Sequence, residues 1–355
     1  MKILAIETSC DETGIALVEG EKTEGGFSFT VLDASLLSQA QLHAEYGGVY
    51  PTLAKREHEK NLPVLFEKFK DTAFDAVAVT QGPGLEPALW TGIEFARKLA
   101  QEKNLPLIPV NHMEGHLISS LTNHSNILKN IRMVGELRDI KLPVLALLIS
   151  GGHTEFVLMR EWFQYEVIGK TLDDAVGEAF DKVARMLGLP YPGGPHISKQ
   201  AAVARQRNLA SEIKLPRPMI STHNCDVSFS GLKTAALYSL RGKDLKEDQK
   251  TAFARELEDS ITDVLVEKTR RALIETDAQT FVIGGGVAAS KFIREQLQKL
   301  IEKNFNHVDF RLPELSITGD NAIMIAEAAL ARSLSGLDDA TKADFRAVGN
   351  LSIAS

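Results

Sequence analysis

The sequence predicts an α/β protein of two related lobes, and three observations carry that expectation. Strand-like apolar runs alternate with amphipathic helical stretches, the pattern of a largely parallel sheet with crossover helices. Two segments, Ile3–Gly20 and Val144–Glu161, align without a gap as strand, polar turn and strand, with Ser9 opposite Ser150 and Thr13 opposite Thr154. The length of 355 residues is enough for two domains or two large lobes.

The elements follow in order. Each aligned segment reads as a β-hairpin with a small polar tip. The first lobe continues with a strand at Phe29–Leu36, a helix at Thr52–Lys70, a strand at Ala76–Thr80, a helix at Glu86–Lys103 and a strand at Leu107–Val110. A short helix carrying His112 comes next. Residues 122–142 are polar and without a clear period, which makes them the expected junction between a lobe at 1–121 and a lobe at 143–355. The second lobe is expected to hold helices at Asp173–Leu187, Asp248–Ile274, Ala288–Lys303 and Asn321–Ser333, the last able to pack back on the first lobe. A strand at Thr280–Ile283 runs into Gly284-Gly285-Gly286.

Composition narrows the class. The chain is 44% hydrophobic and 25% charged, ordinary for a globular protein. Its two cysteines, Cys10 and Cys225, form no spacing pattern, so a reducing, cytoplasmic setting is expected. The first residues read as a strand and lack the basic flank of a signal peptide. No apolar run reaches the roughly 20 residues that span a bilayer, so no membrane partner is expected. The net charge of −7 does not advertise a nucleic-acid surface. One local excess of Lys199, Arg205, Arg207, Lys214 and Arg217 against the single acid Glu212 is either a solvated helix face or a candidate RNA contact.

Three constellations carry chemistry. His112 and His116 lie four apart, so on a helix both imidazoles share one face and can hold one ion at about 2 Å each. Ordinary histidine pairs have this spacing too. The position directly after an apolar strand favours the ion, as does the fall of four of the nine histidines between 112 and 153. Glu114 stands two places after His112, not immediately after it as in a zinc-protease helix, which argues against peptide hydrolysis. Glycine turns at Gly82-Pro83-Gly84, Gly151-Gly152, Gly193-Gly194 and Gly284–Gly286 sit at strand ends or helix entries, where backbone N–H groups can face phosphate. Several such loops suit a nucleotide cleft of the actin, Hsp70 and sugar-kinase type. Acidic residues form the third set: Asp11 and Glu12 in the first hairpin turn, Asp173, Asp174 and Asp181 before Tyr191-Pro192-Gly193-Gly194-Pro195, and Asp320 at the start of the last long helix. Turn formation and helix capping explain such acids equally well.

In order along the chain, Glu7–Thr13, His112–His116, Ser150–Thr154, Asp174–Lys182, Tyr191–Pro195, Ser228–Thr234 and Gly319–Asn321 resemble the TsaD family of tRNA N6-adenosine threonylcarbamoyltransferases. The resemblance runs from residue 3 to about residue 326. It implies an ASKHA (actin-like, ribonuclease H-like) duplication with a cleft between the lobes. It implies transfer of the threonylcarbamoyl group from threonylcarbamoyl-AMP to N6 of the adenosine 3′ of the tRNA anticodon, releasing AMP. On it, His112, His116 and Asp320 would hold one divalent metal per subunit, Fe2+ with Zn2+ or Mg2+ as alternatives. Leu148, Ile149, Ser150, Gly151, Gly152, Asp181 and Gly194 would bind substrate. Asp11 or Glu12 would take the amine proton. TsaB-like and TsaE-like proteins would be partners. The family usually reads Gly-Gly-Val-Ser-Ala-Asn where this chain has Gly285–Ser290, so the adenylate contact of that Asn is not expected of Ser290. Rival readings are a small-molecule kinase of the same fold and a non-catalytic scaffold of a tRNA-modification complex.

Overall fold

A computed structural model describes residues 1–127, 132–337 and 345–354. The strands are β1 Lys2–Glu7, β2 Glu12–Thr23, β3 Gly26–Ser38, β4 Ala76–Gly82, β5 Leu107–Asn111, β6 Asn123–Ile127, β7 Arg132–Arg138, β8 Val144–Ile149, β9 Thr154–Glu161, β10 Gln164–Lys170, β11 Thr280–Gly284 and β12 Asp309–Arg311. The α-helices are α1 Ala40–Ala44, α2 Pro51–Phe66, α3 Glu86–Lys103, α4 His112–Leu121, α5 Val176–Met186, α6 Gly193–Gln206, α7 Ser230–Leu240, α8 Glu247–Thr276, α9 Lys291–Asn304 and α10 Ala322–Leu334.

The chain forms two compact units. One holds Met1–Leu42, Val49–Ile140 and Leu312–Ser355; the other holds His43–Gly48 and Lys141–Arg311. In the first, seven strands run in the order β5-β4-β1-β2-β3-β7-β6. The second unit's five run β10-β9-β8-β11-β12. The five strands β3-β2-β1-β4-β5 repeat that order. Both units pair the hairpin antiparallel and the two inner crossover neighbours parallel. The hairpin registers also coincide under the gapless alignment: Glu7 faces Gly14, and the matching Leu148 faces Glu155. One α/β motif is therefore present twice.

The apolar runs explain the central strands. β8 is apolar at every position and wholly buried, as a strand covered on both faces must be. Its Leu145, Leu147 and Ile149 pack with Phe281 and Ile283 of β11 and with Phe253 and Leu257 of α8. In the first unit, Leu4 and Ile6 of β1 pack with Val77 and Val79 of β4 and with Ile93 of α3. Helix α10 is buried from Ala322 through Ala331, and its main neighbours are β1, β2 and α4. This apolar surface places residues 312–355 with the first unit, not with the second half of the chain.

Three expectations change. Much of the expected junction at 122–142 is β6 and β7, and β7 extends the first sheet by pairing with β3. Helix α5 starts at Val176, so Asp173 and Asp174 precede it. The basic stretch is a paired face, because acids of α8 bond four of its five cations, which favours the solvated-face reading over the RNA contact. Arg205 bonds Glu258 and Asp259, and Arg207 bonds Asp248 at 2.8 and 2.9 Å. Lys214 and Arg217 both reach Glu256, and Arg217 also reaches Asp263 at 2.9 Å. Replacing Arg207 or Lys214 with alanine is therefore expected to leave any RNA affinity within about twofold and its salt dependence unchanged in filter-binding titrations, whereas a phosphate-contacting cation would reduce the salt slope by about one.

Asp173 caps α7 from a distant part of the chain. Its carboxylate accepts from the Phe229 and Ser230 amides at 2.8 and 3.1 Å and from the hydroxyls of Ser228 and Ser230. Burial would raise its pKa, but these four donors bring it down to about 2. A depressed carboxyl stabilises the fold above its unfolded pKa, and that contribution fades as pH falls through the folded value. Asp173→Ala should then cost about 1 kcal/mol at neutral pH by urea unfolding, a difference that shrinks between about pH 4 and pH 2.

Candidate functional site

The first unit builds a three-donor group around α4. Strand β5 delivers the chain to Asn111, whose side chain caps the helix by accepting from the amides of Met113 and Glu114 at 2.9 and 3.3 Å. The helix then presents His112 and His116 on one face, with ring centroids 4.7 Å apart and planes nearly perpendicular. Asp320, just before α10, meets both. Its Oδ1 lies 3.4 Å from His112 Nε2 and 3.0 Å from His116 Nε2. One ligand atom from each of the three residues falls within 4.8 Å of the others.

Glu7 stands behind His112. Its Oε2 lies 3.1 Å from His112 Nδ1 and accepts from the Thr80 hydroxyl, while its Oε1 accepts from the Ser9 amide. A carboxylate on the far nitrogen of a ligating imidazole fixes the ring and raises its basicity. Burial would raise the Glu7 carboxyl, but the adjoining His112 charge brings it below the usual range. Burial alone would lower the His112 imidazolium; Asp320 and Glu7 outweigh it and lift the pKa to about 10. Asp320 is likewise held well below normal, against burial, by the two histidines. The pocket stabilises positive charge at the His112 imidazole. Two imidazoles and one carboxylate suit Fe2+ or Zn2+ better than Mg2+, which prefers oxygen donors and water. The donor set therefore fits a divalent transition metal.

Glu114 points elsewhere and pairs with Arg332 at 2.9 Å. Asp11 and Glu12 sit at the tip of the β1–β2 hairpin. Glu12 bonds the Ser38 hydroxyl at 3.1 Å. Burial, with the charges of Asp11 and Asp320 adding to it, pushes the Glu12 carboxyl up to about 9.

The second unit holds a cavity of about 570 Å³, within the usual range for small-molecule sites. Three of the four glycine turns meet there through Gly151, Gly194 and Gly286, joined by Gly177. Phe180, Tyr191, Pro192, Pro195 and Val287 supply apolar wall, and Asp181, Ser198, Lys199, Ser290 and Lys291 supply polar groups. The Gly177 amide bonds Ser150 O at 3.2 Å, tying α5 to the hairpin turn. Asp181 Oδ1 accepts from the Gly193 amide at 2.6 Å and so holds the Tyr191–Pro195 turn. Gly285 has φ +86°, and a Cβ there would stand 2.4 Å from Ile149 O, so no other residue fits the approach of this loop to β8.

The other expected substrate residues take different places. Leu148 and Ile149 are core residues of β8. Ser150 and Gly152 lie in the turn after it, where the Ser150 hydroxyl accepts from the His153 amide at 3.1 Å. Ser290 borders the cavity, but its hydroxyl caps α9 by accepting from Ile293 N at 3.4 Å. The fourth glycine turn, Gly82–Gly84, belongs to the first unit. The local pattern does not mark Glu7 or Thr80 as site residues, because strand position alone does not reveal that Glu7 meets His112, 105 residues away. A buried acid ending an otherwise apolar strand was the available signal.

Two solved structures are similar in fold. Full-length HypF in its phosphate- and nucleotide-bound form is 12% identical, with a TM-score of 0.54, over 94% of this chain and 46% of that one. HypF of T. kodakarensis is also 12% identical, with a TM-score of 0.55, over 95% and 48%. The chain spans about half the length of these proteins, and the likeness shows the ASKHA fold alone. Among the described residues, no helix is long and apolar enough to cross a membrane. The family profile described as "TsaD: tRNA N6-adenosine threonylcarbamoyltransferase" matches residues 30–327, most of the sequence. The chain belongs to the TsaD family of tRNA-modifying transferases.

Proposed function

We propose that this protein transfers the threonylcarbamoyl group of threonylcarbamoyl-AMP to N6 of the adenosine 3′ of the tRNA anticodon, in the cytoplasm, with AMP as the leaving group. The observation that carries this reading is the His112–His116–Asp320 group, backed by Glu7, in a chain of the TsaD family. A phosphoryl-transfer enzyme of the same fold gives the two buried imidazoles no task.

In the reaction, N6 attacks the carbamoyl carbon. The new N–C bond forms, the bond to the phosphate oxygen breaks with its electron pair leaving on AMP, and N6 gives up a proton. The donor is already activated, so positioning and charge stabilisation matter more than a covalent nucleophile. A divalent ion held by His112, His116 and Asp320, iron by the family resemblance with zinc equally suited to the donor set, would supply positive charge to stabilise a developing oxyanion. Glu7 keeps the His112 ring in place through Nδ1. Asp181 orders the Tyr191–Pro195 turn, and the cavity it borders takes the adenylate. Asp11 or Glu12, adjacent at the tip of the first hairpin, takes the amine proton. The neutralised basic stretch leaves tRNA binding to other surfaces and to partner chains of TsaB-like and TsaE-like type. The test supplies threonylcarbamoyl-AMP carrying labelled threonine to the purified chain with those partners and tRNA. Label should enter tRNA bearing adenosine at the target position and not a guanosine variant. Equal labelling of both, or of neither, would contradict the reading.

A further inference from the structure

Residues 345–354 belong to the first unit and tie together the two places that set up the histidine helix. Phe345 is buried in the unit's core, and its carbonyl accepts from Arg97 at 2.9 Å. The Val348 amide donates to Gln81 O at 3.0 Å, and Gly349 O accepts from the Gly84 amide at 3.0 Å. The fit is close: a Cβ on Gly82 would stand 2.0 Å from Val348 O. Beyond this, Ser352 O accepts from Asn111 Nδ2 at 3.0 Å.

Both anchor points lead to the metal group. The Asn111 amide faces two ways: Nδ2 holds the segment, while Oδ1 caps α4 at the turn that begins with His112. The loop held by Gly349 donates the Leu85 amide to Ser9 O at 2.8 Å, and the Ser9 hydroxyl lies 3.2 Å from His112 Nδ1. A ligand pair on a ten-residue helix depends on how that helix is entered, since a small rotation of its first turn moves both imidazoles against Asp320.

We propose that segment 345–354 is a positioning strap that sets metal affinity through the Asn111 cap and the loop behind Ser9. The inference rests on the metal reading above. Its residues act through Asn111 and Gln81–Gly84, so they are positioning residues.

Cobalt(II) titration, followed by the ion's ligand-field absorption, tests it on three chains: the intact protein, Asn111→Ser, and a chain ending at residue 344. Serine keeps a good cap for α4 but has no amide N–H to reach Ser352 O. Loss of a group that orients ligands costs 10- to 100-fold in affinity, so both variants should bind Co2+ at least about tenfold more weakly, with altered absorption. Asn111→Ser introduced into the shortened chain should add less than about twofold, because the link is already broken. Should the shortened chain fail to fold, Asn111→Ser alone decides. Unchanged Co2+ affinity in Asn111→Ser, with or without a lower melting temperature, overturns the strap. Absence of Co2+ binding by the intact protein overturns the metal reading and this inference with it.

Discussion

Replacing His112 and His116 together with alanine should leave a folded chain that retains almost no divalent metal after purification without oxygen. Threonylcarbamoyl transfer should fall by at least about a thousandfold. The magnitude follows from the several kcal/mol of charge stabilisation that a bound cation contributes, at about 1.4 kcal/mol per factor of ten. Fold stability should not fall in proportion. The change removes His112 from beside Glu7 and both imidazoles from beside Asp320, so the pKa values of the two carboxyls should rise, with Glu7 still held by the Ser9 amide and the Thr80 hydroxyl. Metal content by mass spectrometry and transfer by tRNA labelling check the two halves separately. Full transfer by a metal-free double variant would end the role given to this group.

The second large effect is expected at Asp181. Its carboxylate holds the Gly193 amide at the mouth of the Tyr191–Pro195 turn, and both border the cavity of the second unit. A hydrogen bond to a charged group contributes about 1.5–3 kcal/mol. Asp181→Ala should therefore weaken AMP binding by about 10- to 100-fold in calorimetric titration while leaving metal content unchanged. Asp181→Asn keeps an acceptor oxygen for the Gly193 amide, so its loss should be clearly smaller. An alanine variant that binds AMP within twofold of the parent would remove the nucleotide from this cavity.

Much of the fold was legible because central strands and long helices announce themselves by apolar pattern. The gapless match of the two hairpins foretold the repeated motif down to its register. The histidine pair was legible from helical spacing alone. Elements that depend on distant partners were not. β6 and β7 are polar hairpin strands whose pairing with β3 no local pattern reveals. Helix α6 opens on Gly193-Gly194-Pro195 and reads as a loop, although Ile197, Ala201 and Ala204 carry helical spacing and are buried. The basic stretch looked unbalanced because its counter-charges, from Asp248 to Asp263, arrive on a helix some forty residues later. Glu7 shows the same limit at the site itself: its chemistry comes from lying against His112, and only the folded sheet brings the two together.

The most direct measurement is a single-turnover reaction of the metal-loaded chain with its partner proteins, tRNA and threonylcarbamoyl-AMP, without ATP, followed by nucleoside mass spectrometry and AMP quantitation. One threonylcarbamoyl-adenosine should form for each AMP released, with the yield lost in the His112/His116 double variant. Release of AMP with unmodified tRNA and free threonine would contradict it.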